Sequence, residues 1–368
     1  MFSNHMNYNS LKEKVGQLFF IGIPGPNLDA QANQLLDDIK PGGICLFSRN
    51  IRDSTQTREL LDSITSKLPI LPFLSLDQEG GLVDRLRRIM TPMPAAGKVT
   101  TVEQANDFAS IVAESIRILG FNMNFAPVVD VIDESRSRFS NGLHSRAFGK
   151  SREQSVELAD AFLAKLQGGG CVGCLKHFPG LGASEVDSHE DLPLVPIDEE
   201  EFDSVDLYPY KRLLSSGEVT TLMIAHAAYP ALDLQETDQS GKLLPSSLSF
   251  KIVTTLLREQ LGYDGLVLTD DLEMGAILKN YGIGEACVLA ILAGGDMLSI
   301  CAGVDAIYEG HRAVLEAIET GRISESRLDQ SLKRIEAAKM KLSPPLPFDA
   351  KRLETLSKSI AELNGRLN

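Results

Sequence analysis

CVGCLKHFPGLGASEVDSH, residues 171–189, holds the change of pattern on which the reading of this chain turns. Cys171 to Leu175 is a short apolar, strand-like run that ends at a polar pair, Lys176-His177. Pro179, Gly180 and Gly182 then stop both helix and strand, so the polar groups beyond them sit on a loop. Asp187 and His189 stand two residues apart, and an extended backbone puts such residues on the same side. Asp187 can therefore orient His189 and favour its protonated form. An isolated Asp-x-His is most often an incidental feature of a surface loop. Here it follows a polar strand end and a glycine turn, and polar strand ends recur along the chain. That combination points to catalysis.

The same strand-then-helix alternation extends in both directions. Strands are expected at Val15 to Ile21, Gly43 to Phe47, Phe73 to Leu76 and Asn122 to Ala126 before this one. Three more follow, at Thr220 to Ala225, Leu266 to Thr269 and Met297 to Ile300, with helical spacing between successive strands. Eight short apolar strands separated by helices predict an α/β fold, a (β/α)8 TIM-type barrel in a single domain. The competing architecture is an open doubly wound sheet. The barrel is preferred because polar residues follow many different strands: Asp77, Asp130, Lys176, His226 and Asp270. A barrel brings those ends to one mouth, whereas an open sheet spreads them along a line. No Gly-x-Gly-x-x-Gly follows the first strand, which weakens a dinucleotide-binding reading. The barrel is expected over residues 1–345, with 346–368 a charged tail that packs as one more helix or frays.

Composition narrows the function classes. The 368 residues are 43% hydrophobic and 23% charged, as in a globular protein with a large core. The net charge of −14 would repel a phosphate backbone, so nucleic acid is not an expected partner. No apolar run reaches a membrane span, and the polar start, Met1 to Lys14, lacks a signal-peptide core. The expected location is the cytoplasm, without membrane partners. Five cysteines, an odd number, do not indicate a disulfide framework. Cys171 and Cys174 spell C-x-x-C, but within a strand they point to opposite faces, and packing is the expected role.

Further constellations follow the other strands. DQEGGLVDR, residues 77–85, pairs a strand-end carboxylate with two glycines that allow close backbone approach to a ligand. A polar connecting loop is an equally good reading of it alone. SRAFG, residues 145–149, holds Arg146, which in so acidic a chain serves equally as an ion-pair partner. Lys176 and His177 can donate to hydroxyls or an amide carbonyl. His226 competes with a core histidine. TDDLEM, residues 269–274, puts two carboxylates at a strand end. One of them can attack an anomeric carbon, but Asp-Asp there also reads as a helix cap, sometimes a metal ligand.

Taken together, K-H-F-P-G-x-G…D-S-H, D-Q-E-G-G-x-V-x-R, R-A-F-G and T-D-D-L-x-M resemble the motifs of family 3 glycoside hydrolases, in their β-N-acetylglucosaminidase branch, over nearly the whole chain. The resemblance implies a retaining exo-glycosidase in which Asp270 is the nucleophile. His189, oriented by Asp187, would be the acid/base in place of the usual second carboxylic acid. It further implies that Asp77, Arg85, Arg146, Lys176, His177, His226 and Met274 bind the sugar. Asp130 reads as structural and Asp271 as a cap or support. Neither metal nor organic cofactor is implied. The expected substrate is an N-acetylglucosamine-containing glycan or muropeptide, met in cell-wall recycling. Leu181 stands where many members carry His, a departure that bears on loop packing. The chain ends before the additional α/β sandwich of larger members, which favours the single-barrel acetylglucosaminidases. Three alternatives stay open: a phosphorylase or β-glucosidase with the same nucleophile, a non-catalytic sugar-binding barrel, and a metal-dependent aldolase-type barrel.

Overall fold

Parallel strands covered on both faces need near-continuous apolar sequence, and the eight short runs supply it. The computed structural model describes residues 8–137, 142–185, 188 and 191–367. Its strands β1 (Phe19–Gly22), β2 (Gly43–Cys45), β3 (Phe73–Leu76), β4 (Met123–Asn124), β5 (Val172–Phe178), β6 (Thr221–Ile224), β7 (Leu266–Asp271) and β8 (Met297–Ile300) close a barrel in chain order. Every neighbouring pair is parallel, and β1 bonds to both β2 and β8. This is the (β/α)8 arrangement. Inside it the Phe20 ring stacks on Phe73 at 6.0 Å and meets Phe125 edge-on at 5.2 Å.

Helices lie between the strands, and side-chain caps set where several of them begin. Asp29, Asp53 and Ser151 each accept a hydrogen bond from a backbone N–H in the first turn. Thr101 and Gln104 form a capping box at the start of helix Val102–Leu119. Beyond residue 346 the chain forms helix Ala350–Arg366, whose Leu353, Leu356, Ile360 and Leu363 are buried. It lies along Val102–Leu119 through ion pairs of Arg352 with Glu114 and Arg366 with Asp107.

Several boundaries differ from the expectation. The first strand begins at Phe19, because Ser10 caps a helix, Leu11–Gly16, that takes up the first part of the apolar run. A short apolar run alone does not separate strand from helix. β5 continues through Lys176, His177 and Phe178, so the Lys-His pair lies within the strand. Between β5 and β6 and between β6 and β7, where helical spacing was expected, the backbone includes π-helical segments, Phe202–Asp206 and Lys251–Gln260.

Candidate active site

The C-terminal ends of the barrel strands surround a cavity of about 450 Å³, a size typical of small-molecule sites. Asp77 reaches it from the end of β3, Arg146 from the long loop after β4, Lys176 and His177 from β5, and Asp270 from β7. Arg85 enters from beyond a small hairpin, Gln78–Gly80 with Val83–Asp84. That hairpin turns through Gly80 and Gly81, both at positive φ. A Cβ on Gly80 would lie 2.0 Å from the Pro94 carbonyl oxygen, so only glycine fits.

A web of buried charge organises one side of the cavity. The Lys176 ammonium sits 2.8 Å from Asp77 and 2.5 Å from Glu79. Arg146 grips Glu79 with two hydrogen bonds, at 2.7 and 2.9 Å, and Arg85 lies 3.3 Å from Asp77. Burial alone would raise both carboxyls. The cations outweigh it: Lys176, Arg85 and Arg146 hold Asp77 well below the usual carboxylate range, and Arg146 and Lys176 bring Glu79 to about 2. Burial would likewise discharge Lys176, but Asp77 and Glu79 carry it up to about 12. The pocket therefore offers fixed ionised groups of both signs, the chemistry needed to hold several hydroxyls at once.

His177 is fixed from behind. Its Nδ1 donates to the buried Asp130 carboxylate at 2.8 Å, and the other Asp130 oxygen accepts the Leu181 N–H at 2.7 Å. Nε2 is then the ring nitrogen available to a ligand. Burial acts to raise the Asp270 carboxyl, yet the nearby His177 and His226 leave it lowered, with the Asp271 N–H donating to Oδ1 at 2.8 Å. Asp271 beside it behaves oppositely: burial pushes it up to about 7. Two adjacent carboxyls are thus pushed in opposite directions, and the lowered one, Asp270, is the stronger acid of the pair.

The structure brings Asp77, Arg85, Arg146, Lys176, His177, Asp270 and Met274 to this one cavity. His226 is different. It is fully buried and does not line the cavity, with Nε2 against the Asp271 carbonyl at 3.1 Å and Nδ1 against the Ser247 hydroxyl at 2.7 Å. A carbonyl only accepts, so Nε2 carries the proton, and both ring nitrogens are engaged in holding the strand end. Asp187 and His189 lie outside the described residues; Ser188 between them lines the cavity. Glu79, central to the charge web, was missed, although its place two residues after Asp77 in an extended segment was a usable signal. Glu273, which also lines the cavity, was missed as well; its carboxylate accepts the Ala302 and Gly303 N–H groups at 2.6 and 2.8 Å.

Comparison with known proteins agrees with this geometry. Residues 10–338 match the family model described as the glycosyl hydrolase family 3 N-terminal domain. "Beta-hexosaminidase A" of Pseudoalteromonas piscicida is 31% identical over 86% of this chain, which spans only 56% of that protein's length. "Beta-hexosaminidase" of Pseudomonas aeruginosa is 34% identical over 76% of this chain and 81% of its own. A solved family 3 β-N-acetylglucosaminidase from Paenibacillus sp. str. FPU-7 superposes with a TM-score of 0.86 at 34% identity, covering 97% of this chain and 69% of its own. With its barrel, its strand-end charges and a match over most of its length, the chain belongs to glycosyl hydrolase family 3.

Proposed function

We propose that this chain is a retaining exo-β-N-acetylhexosaminidase that removes terminal N-acetylglucosamine, with Asp270 as nucleophile. The observation that carries the reading is Asp270 itself: a half-buried carboxylate at the cavity whose acidity its surroundings increase, within one site that also holds Lys176, His177, Arg146 and Asp77. The relatives named above as hexosaminidases and acetylglucosaminidases support the substrate class. In the first step an Asp270 oxygen bonds to the anomeric carbon as the bond to the leaving oxygen breaks. The protonated His189 ring gives its proton to that oxygen. In the second step neutral His189 takes a proton from water, whose oxygen displaces Asp270 and restores the starting carboxylate. Asp187 orients His189 in both. Asp77, Arg146 and Lys176 hold the sugar hydroxyls, while His177 Nε2 is free to meet the acetamido group or a hydroxyl. Peptidoglycan fragments in a cytoplasmic recycling route are the setting in which we place the activity; no helix among the described residues is long and apolar enough to cross a membrane.

The test compares an aryl β-N-acetylglucosaminide with the matching glucoside, for the wild type and Asp270→Asn, with and without phosphate. Phosphate-independent hydrolysis of the acetylated sugar alone, lost in the variant, is expected. A variant that keeps its activity would displace Asp270 as the nucleophile, and a rate that needs phosphate would make the enzyme a phosphorylase.

A further inference from the structure

Asn124 ends β4 and stands in register with Leu76, the last residue of β3. Just beyond it the Phe125 N–H donates to the Leu76 carbonyl at 3.0 Å. The Asn124 side chain carries the pairing two residues further along. Its Oδ1 accepts the Gln78 N–H at 2.9 Å, and its Nδ2 donates to the Gln78 carbonyl at 3.1 Å. Both residues are fully buried, and neither lines the cavity. Gln78 sits between Asp77 and Glu79, whose carboxylates share the Lys176 ammonium. Its own side chain reaches the next arm of the site: Nε2 donates to Asp84 at 2.7 Å, and Oε1 accepts the Arg85 N–H at 3.0 Å. Three charges of the web, Asp77, Glu79 and Arg85, thus hang from one clamped residue.

We propose that Asn124 is a positioning residue for sugar binding: acting through the Gln78 backbone, it sets the spacing of Asp77, Glu79 and Arg85. It touches no substrate itself. A primary amide suits the task because it presents a donor and an acceptor side by side, as the backbone does. A carboxylate of the same shape would set an acceptor against the Gln78 carbonyl. Asn122 makes the same pair of bonds at the opposite end of β3, where its Oδ1 accepts the Leu74 N–H at 2.8 Å and its Nδ2 donates to the Pro72 carbonyl at 3.1 Å. That end carries no charge of the web, so the two asparagines separate positioning from stability. The role in sugar binding rests on the hydrolase reading, whereas the clamp on residues 77–85 does not.

The test compares Asn124→Ala with Asn122→Ala in the full chain. Hydrogen–deuterium exchange comes first, since it needs no substrate. Asn124→Ala should speed exchange across residues 77–85 by about tenfold or more and leave β8 at the wild-type rate. Unchanged exchange at 77–85 would overturn the proposal. On an aryl β-N-acetylglucosaminide, KM should rise about tenfold with kcat little changed, because contacts common to the ground and transition states are weakened. Asn122→Ala should lower the denaturation midpoint yet keep the wild-type KM. A KM unmoved by Asn124→Ala, or moved equally by Asn122→Ala, would refute a positioning role. A wild type without turnover would count against the hydrolase reading instead, and the exchange comparison would then decide this proposal by itself. Should Asn124→Ala fail to fold, Asn124→Asp, which keeps the acceptor and loses the donor, should show the same two changes, and the absence of either would overturn the proposal.

Discussion

Glu79 is 3% exposed and touches two cations, Arg146 and Lys176, at the edge of the cavity. Replacing it with the isosteric glutamine removes one charge of a buried web and leaves its partners in place. Breaking a buried ion pair from one side costs on the order of 3 kcal/mol. Glu79→Gln should therefore lower the urea midpoint of unfolding with little change in its slope, and should raise KM, because Arg146 and Lys176 lose their anchor. A midpoint equal to the wild type would mean that water already screens the web. Asp271 carries a second prediction at this scale, with the opposite sign. Its folded-state pKa of about 7 lies above its unfolded value, so between pH 4 and 7 the unfolded chain gives up a proton that the folded chain retains. Stability attributable to this group is thus present below pH 4 and lost as pH rises towards 7, by about 4 kcal/mol at most. Asn can still accept the Glu273 N–H at this position, which lies 3.0 Å from Oδ1 in the native protein. Asp271→Asn should flatten the fall in stability between pH 4 and 7, and denaturant titrations at several pH values would reveal an unaltered slope if the assignment is wrong.

The segment from β5 into its glycine turn shows how one element is held by several others. The Gly180 carbonyl accepts the Tyr229 hydroxyl at 2.7 Å, and Leu181 N–H donates to Asp130. A Cβ on Gly180, at φ +131, would meet the Asp206 side chain at 2.7 Å. Asp206, on the π-helical segment, is clamped by Arg136 through two hydrogen bonds of 2.9 and 2.6 Å. If this clamp sets where the chain leaves for Asp187 and His189, loosening it should impair proton donation more than nucleophilic attack. Arg136→Lys keeps the charge but loses the two-pronged grip. It should slow a glycoside with a poor leaving group, such as a phenyl glycoside, by about tenfold more than one with a dinitrophenyl group, which needs little acid assistance. Equal slowing of both substrates would reduce the clamp to a purely structural role. These contacts also show what the sequence did and did not reveal. Strands Phe73–Leu76 and Met297–Ile300 were legible to the residue, because turn residues bound a short apolar run. The π-helical segments were not, since their apolar spacing differs from that of an α-helix by less than a short window resolves. His226 was read into the cavity because it follows a strand like its true lining neighbours; only its two partners reveal that it points into the wall.

Across the whole molecule, the two ends of the barrel divide their work. The C-terminal end carries the cavity, and the opposite end carries Asp296, a fully buried carboxylate just before β8. Arg258 reaches it at 2.6 Å, Arg327 and Arg334 at 3.3 Å each, and the Val267 N–H of β7 donates to it at 3.1 Å. One side chain thus ties β7 and β8 to helix Glu325–Lys339 and to the segment Lys251–Gln260. It acts where the strands begin, far along them from Asp270. Asp296→Asn would leave three guanidiniums around a neutral amide, at a cost of about 3–5 kcal/mol. That is a large share of the roughly 5–15 kcal/mol by which folded proteins are stable. The expected result is a sharp drop in the denaturation midpoint, together with a kcat per folded molecule equal to that of the wild type. A large loss of kcat in fully folded Asp296→Asn would show that the charges at the floor of the barrel reach the chemistry at its mouth, and that the two ends are not separable.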